Sequence, residues 1–432
     1  MLWRRLSVPS LPGLHVEVLD NGLRVLVRED RSAPVVTCWA AYRVGSRNER
    51  PGITGISHFI EHMLFRGAGK FRDEVDRLVS SRGGHFNAFT SQDATMYYET
   101  LPSGSLKLAL EIEAERMSNA FFDEEVVERE RGVILAEREM SENQPEYQLW
   151  ELVRATALIA HPYRWPVVGW RSDIESITVD DLREYYRTYY RPSNAILVVV
   201  GDVDAGEAVK EVEELFGGLE GGARPPEPRT REPPQRGERR VELRMPANVS
   251  YVCVAYKAPS ASSEDLAPFL VMHAVLAGAK SFNPLSGASF TRSSKLYKEL
   301  VRGGYASSAS AWFMLTIDPY LYALSLTVRS GVEPEEAEKK LLALVEGLEV
   351  SEDEVKRAIS QVEAQLAYNV EDFTGQALMM CRLEVVASVE RLEKLMEEVK
   401  RVSPADVRRV ASEYLVEDKR TVGILRPEGV GA

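Results

Sequence analysis

"SITVDDLREYYRTYYRPSNAILVVVGDV", residues 176–203, and "RVSPADVRRVASEYLVEDKRTVGILRPEG", residues 401–429, decide the reading of the fold. Each opens on a Thr or Ser N-cap signal with an Asp early in the helix that follows. Each helix ends in aromatic or aliphatic residues, passes a polar turn and enters a β-branched strand. The beginnings of the two halves also agree. "VLVREDRSAPVVTCWAAYRVGS" (25–46) and "VELRMPANVSYVCVAYKAPS" (241–260) alternate like strands, and each leads into a helix. A self-similarity of this length means that one α+β unit occurs twice. Between the copies, "GGLEGGARPPEPRTREPPQRG" (217–237) has no helical or strand period and reads as an extended linker. The expected organisation is a domain over 1–216, a linker over 217–237 and a homologous domain over 238–432. Each is α+β, a mainly antiparallel sheet covered by helices on one face.

The repeat supplies an internal control. "HFIEHMLFRGA" (58–68) lies over "FLVMHAVLAGA" (269–279). His62 falls on His273, but His58 falls on Phe269 and Glu61 on Met272. The second copy keeps an apolar packing helix, so the polar set in the first copy is an addition to the scaffold. Positions i, i+3 and i+4 share one helix face, so His58, Glu61 and His62 project together. Two histidines at this spacing can bind one Zn²⁺, and a catalytic zinc takes a third protein ligand while leaving a place for water. Glu61, one residue before His62, is placed to take a proton from that water. The order H-x-x-E-H is the inverse of the commoner H-E-x-x-H. A third ligand is expected from "DEEVVERERGVILAEREMSEN" (123–143). Glu130 and Glu137 there are two helical turns apart on one face, and spacing alone does not separate Glu130, Glu137 and Glu139. Between these helices, "SRGGHFNAFTSQDATMYYETL" (81–101) reads as a turn at Gly83 and Gly84 followed by a hairpin. An exposed edge on that hairpin is suited to pairing with an extended peptide.

The remaining composition narrows the field. With 432 residues the chain has room for about two to four domains. A net charge of −13 argues against nucleic acid. The abundance of Glu and Arg is compatible with a heat-adapted source. Cys38, Cys253 and Cys381 have no metal-ligand spacing and their odd number suggests no disulfide framework, so buried free thiols in a reducing compartment are expected. The N-terminus carries two arginines but prolines interrupt it early, unlike a signal peptide. No apolar run reaches membrane-spanning length. The expected location is the cytoplasm.

Taken together, "HFIEHMLFRG", "GGHFNAFTSQDATMYY" (83–98), "ERERGVILAE" (128–137) and "HPYRWPVVGWRSDIESIT" (161–178) make the chain resemble the pitrilysin-type zinc peptidases, the inverzincins. That group includes insulin-degrading enzyme and the mitochondrial processing peptidase. The resemblance covers nearly the whole chain. It implies one Zn²⁺ per chain held by His58, His62 and Glu137, with Glu61 as general base and Glu130 as a supporting carboxylate. It implies that Asn87, Ala88 and Thr90 belong to the strand that binds peptide substrate. It also implies a zinc endopeptidase working as a clamshell dimer, either a homodimer or a heterodimer with a zinc-less homologue. The alternative is a non-catalytic or partner-dependent subunit of such an assembly. One departure stands out in "RSSKLYKELVRGGYASSASAW" (292–312). Active members carry an arginine seven residues before a tyrosine that helps hold the substrate carbonyl. Tyr305 matches the tyrosine, but Lys298 stands at the arginine position and Arg302 is three before. A His/His/Glu set also suits Mn²⁺ or Co²⁺.

Overall fold

The computed structural model describes residues 4–5, 13–279, 292–368 and 371–428. The N-terminal stretch read above for a leader falls, apart from Arg4–Arg5, outside the described residues. In chain order the first half holds β1 (Arg4–Arg5), β2 (Leu14–Val18), β3 (Arg24–Glu29), β4 (Val35–Tyr42), α1 (Ile56–Phe65), α2 (Val75–Ser80), β5 (His85–Thr90), β6 (Thr95–Pro102), α3 (Leu106–Ser118), α4 (Glu124–Glu142), α5 (Pro145–Ala157), α6 (Arg171–Ser176), α7 (Val179–Tyr189), β7 (Ala195–Gly201) and α8 (Ala205–Phe216). The second holds β8 (Arg239–Met245), β9 (Tyr251–Ala258), α9 (Leu266–Ala277), β10 (Ala306–Trp312), β11 (Tyr320–Val328), α10 (Pro334–Glu346), α11 (Glu352–Tyr368), α12 (Phe373–Val386), α13 (Arg391–Lys400), α14 (Pro404–Tyr414) and β12 (Arg420–Pro427).

The two stretches that opened the sequence reading fold alike. Thr178 caps α7 and Ser403 caps α14, each in a reciprocal box with the Asp three residues on, Asp181 or Asp406. Each helix runs through a short 3₁₀ turn into a strand that is inserted between two others of its sheet. The first sheet has the order β1-β2-β3-β7-β4-β6-β5 and the second β10-β11-β9-β12-β8. β7 pairs in parallel with β3 and antiparallel with β4; β12 pairs in parallel with β8 and antiparallel with β9. Apart from that one parallel ladder, the pairs in each sheet are antiparallel.

The helices are shared out less simply. The chain falls into two compact units, one of Met1–Arg138, Trp165–Arg229 and Val370–Glu393, the other of Glu139–Arg164, Thr230–Asn369 and Lys394–Ala432. In the first unit, Val25, Val27, Cys38, Ala40, Leu197 and Val199 pack with Phe59, Met63, Leu110 and Val212 in one core. From the opposite face Arg24 reaches Glu384 of α12 at 2.6 Å and Thr100 meets Thr374 of α12 at 2.9 Å. Both faces of this sheet are therefore covered, and β4 is buried from Val36 to Tyr42. The expectation of helices on one face alone is corrected here: a helix from the second half of the sequence covers the other side.

The second unit shows the reciprocal arrangement. Leu149, Val153 and Ala157 of α5, from the first half, pack on Cys253, Ala255 and Leu425. On the other face Phe269 and His273 of α9 meet Tyr322 of β11. α9 is buried on every side, as its uniformly apolar sequence requires. Gly423 of β12 permits the close approach of α5, since a Cβ there would lie 2.3 Å from Val153 Cγ2. The proline-rich stretch carries no helix or strand from Glu220 to Glu238. Its second part is fastened by Glu232, whose carboxylate accepts the backbone N–H groups of Ile159, Ala160 and His161. All three cysteines are buried and free.

Candidate metal centre

Every group in this centre belongs to the first unit. α1 begins at Gly55, whose φ of 88° suits glycine. Its apolar residues Ile56, Phe59, Ile60, Met63 and Leu64 point into the core. That burial turns His58, Glu61 and His62 toward the side where β5 and α4 lie. The two imidazole rings sit edge to face with centroids 4.7 Å apart. α4 is held against the same core by Val126, Val127 and Ile134. Glu137 Oε2 lies 3.6 Å from His58 Nε2 and 3.5 Å from His62 Nε2, and the three donor atoms all fall within 4.8 Å of one another.

Those separations allow a test of fit. Zn–N and Zn–O bonds of about 2.0–2.2 Å in a tetrahedron put neighbouring ligand atoms about 3.3–3.6 Å apart. The two edges drawn to Glu137 have that length, and the third donor pair lies within 4.8 Å, so the donor set fits a small divalent cation. Burial, with His62 beside it, pulls the His58 ring down to about 4, so it is a neutral donor at pH 7, as a metal ligand must be. Burial also pulls on His62, but the carboxylates of Glu137, Glu61 and Glu130 outweigh it and leave this ring above its ordinary value. Contact with His62, and with His58 behind it, holds Glu137 below the usual carboxylate range.

Glu61 is set apart from these ligands. Its Oε2 accepts a hydrogen bond from Thr90 Oγ1 at 2.7 Å. Burial pushes its carboxyl up to about 7, against the pull of that bond. A carboxyl poised near neutrality is suited to taking and returning a proton. Glu130 Oε2 lies 3.6 Å from His62 Nδ1, and its other oxygen accepts from Arg66 Nη1 at 3.0 Å. Arg66, in turn, is paired with Asp73. Sequence reading passed over Arg66. The signal was its place four residues after His62, on the same helix face.

β5 is an edge strand, paired with β6 alone among the described strands. Thr90 and Ala88 lie on its inner face, while the Asn87 side chain is exposed on the other. Tyr305 is in the second unit, half-buried in the turn between the π-helical residues Tyr297–Val301 and β10, with its N–H bonded to the Leu300 carbonyl. Lys298 and Arg302 are exposed in the same segment. The structure thus gathers His58, Glu61, His62, Thr90, Glu130 and Glu137 in one unit, and does not gather Tyr305 with them there.

Comparison with known proteins gives the family and the fold. The model described as insulinase, peptidase family M16, matches residues 24–169, and that described as the peptidase M16 inactive domain matches residues 176–362. The chain belongs to the M16 family of peptidases. The M16 relatives include a protein named zinc protease PqqE from Helicobacter pylori, 29% identical over 96% of this chain and 94% of its own. Another is named mitochondrial-processing peptidase subunit beta, from Lentinula edodes, also 29% identical, over 94% of this chain and 88% of its own. The crystal structure of a protease from Helicobacter pylori superposes with a TM-score of 0.90 at 28% identity, covering 96% of this chain and all of that one. The pair of mixed-sheet α+β domains described above matches solved M16 structures. The family is one of metallopeptidases, and its matched second model is of the inactive kind, in keeping with the apolar Phe269 and Met272 on α9.

Proposed function

We propose that this chain is a zinc-dependent endopeptidase acting on peptides or unfolded polypeptide segments. The convergence of His58, His62 and Glu137 on one point from two separate helices carries the reading. A zinc ion held there would act as a Lewis acid and lower the pKa of water bound to it. Glu61 takes the proton from the attacking water and returns it to the leaving amine, with Thr90 holding one of its oxygens in place. Glu130 orients the His62 ring, as carboxylates beside ligating histidines do. The peptide lies as an added strand along the free edge of β5, past Asn87, Ala88 and Thr90.

The working form we propose is a dimeric clamshell, as a homodimer or with a zinc-less homologue. The described residues form one pair of α+β domains, and a relative bears the name of a subunit. Tyr305 of the facing subunit would then help to hold the substrate carbonyl. A second reading, a partner-dependent or non-catalytic subunit, is favoured by Lys298 standing seven before Tyr305. Metal analysis of the purified protein, with cleavage of an unfolded protein substrate before and after chelation, tests the first reading. Stoichiometric zinc with cleavage that chelator abolishes supports it, and a metal-free inactive chain refutes it. Zinc without cleavage until a homologue is added favours the second. Among the described residues no helix is long and apolar enough to cross a membrane.

A further inference from the structure

Zinc ligands tolerate errors of about 0.2 Å, yet His58 and His62 stand on one helix and Glu137 on another. A slip of α1 by a single residue would move its side chains about 1.5 Å along the axis. Apolar packing through Phe59, Ile60 and Met63 fixes which face of α1 is buried, but packed helices still slide over small distances. Something must fix α1 along its own axis.

The first turn of a helix leaves backbone N–H groups without partners, normally met by a Ser, Thr, Asp or Asn side chain at the N-cap. α1 cannot use this device. Its N-cap is Gly55, at φ 88°, where a Cβ would lie 2.4 Å from the Val168 carbonyl oxygen. A distant residue does the work. Glu49, 5% exposed, accepts from Gly55 N through Oε2 at 2.7 Å and from Ser57 N through Oε1 at 3.0 Å. The loop between them is held by Asp173 Oδ2, which accepts from Gly52 N, Thr54 N and the Thr54 hydroxyl.

The other end is held as firmly. Arg116 Nε donates to the Leu64 carbonyl in the last turn of α1 at 3.1 Å. Its guanidinium is locked by Glu99 at 2.5 Å and by Glu113, and all three side chains are fully buried. A cation at a helix C-terminus is also favoured by the peptide dipoles. The second domain again serves as control. The alignment that lays His62 on His273 puts Ser260 at the place of Glu49, and the Ser260 hydroxyl meets Ser262. The N-cap Asp265 of α9 makes no capping bond, its carboxylate being taken by Arg409 and Tyr414. The N-terminal fastening accompanies the helix with the metal set and is missing from its counterpart among the described residues.

We propose that Glu49 and Arg116 are positioning residues that fix α1 lengthwise, so that His58 and His62 stay in register with Glu137. This rests on the metal reading of the site. The test is Zn²⁺ affinity of the full chain by competition with a chromophoric chelator, for the parent, Glu49→Gln and Arg116→Lys. Val410→Ala, at a buried valine of α14 in the other unit, serves as a control for general loss of stability. The amide of Glu49→Gln turns one acceptor into a donor that faces a backbone N–H. Its Zn²⁺ affinity should fall about tenfold or more, and that of Arg116→Lys should fall in the same direction. Val410→Ala, with a comparable drop in thermal midpoint, should stay within about twofold of the parent. Parental affinity in Glu49→Gln, or an equal loss in Val410→Ala, overturns the inference while leaving the site reading intact. If Glu49→Gln does not fold, Arg116→Lys decides by the same comparison. A parent that takes up no metal overturns both.

Discussion

Glu61→Gln separates catalysis from metal binding, because the residue touches the reacting water in the proposed mechanism but not the cation. The amide has nearly the shape of the carboxyl and its oxygen still accepts from Thr90 Oγ1, now 2.7 Å away. Zinc content should therefore equal that of the parent. Loss of the proton acceptor should lower kcat by roughly 10²–10⁴-fold. Stability supplies an independent check. Burial raises the Glu61 carboxyl from an ordinary 4.5 to about 7, so the folded protein holds this proton more tightly than the unfolded chain. The contribution is fully present below about pH 4.5 and is lost as the pH rises through about 7. A displacement of this size is worth roughly 3 kcal/mol, and solvent at the open side of the half-buried group reduces it to about 1–2 kcal/mol. Metal-free Glu61→Gln should thus resist urea better than the metal-free parent at pH 8, with the gap closing toward pH 4.5. Cleavage of an internally quenched peptide at the parental rate would refute the assignment of the base. Equal urea midpoints at pH 8 would refute the account of the carboxyl's surroundings.

His58→Phe copies the residue found at the equivalent place in the second domain. It should abolish zinc uptake while changing metal-free stability by only about 1 kcal/mol, because His58 Nδ1 is buried with no hydrogen-bond partner among the described residues and its removal offsets the crowding of a larger ring; metal analysis and urea titration check both halves. Thr90→Val removes the hydroxyl that steadies ionised Glu61, so the acidic limb of the pH–rate profile should move upward by about one pH unit. Gly423→Ala should lower stability by about 1–3 kcal/mol in urea, because its Cβ would collide with Val153 and Leu149 on α5.

The repeat was legible because its signals are local. A Thr or Ser with an Asp three residues on is a complete capping device within four residues, and the short β-branched run that follows each helix after a polar turn favours a strand. The exchange of α5 and α12 left no such trace. α5 shows an apolar face and α12 is apolar nearly all round, and such a surface states that it is covered without stating by which sheet. The boundaries of 216 and 238 follow the order of the strands, whereas the compact units also follow helices that cross from one half of the sequence to the other. Helix-to-sheet pairing depends on contacts far apart in sequence, such as Arg24 with Glu384, and no period or cap encodes them.

The site divides along the same line. His58, Glu61 and His62 could be grouped because helix geometry alone puts them on one face, whereas spacing on the second helix left Glu130, Glu137 and Glu139 open and only the family resemblance singled out Glu137. Glu49 was not readable, since its function comes from a loop that folds back on the helix start, and a lone Glu in "GSRNERPGITG" looks like any solvated charge. Comparing α1 with α9 explains why such distant partners exist. Where α9 buries Phe269 and Met272, α1 carries an imidazole and a carboxyl in nearly the same setting, and a buried polar group destabilises unless it is met. Thr90 meets Glu61 and Glu137 meets His58 from the side, Glu130 lies beside the neighbouring His62, and Glu49 and Arg116 hold the helix at its ends. Polar groups in a core thus call for polar partners on neighbouring elements, and a cation bound only by the folded state would add to its stability by mass action. Chelation should therefore lower the thermal midpoint of the parent and leave that of His58→Phe where it was, a difference that a purely structural role for these residues would not produce.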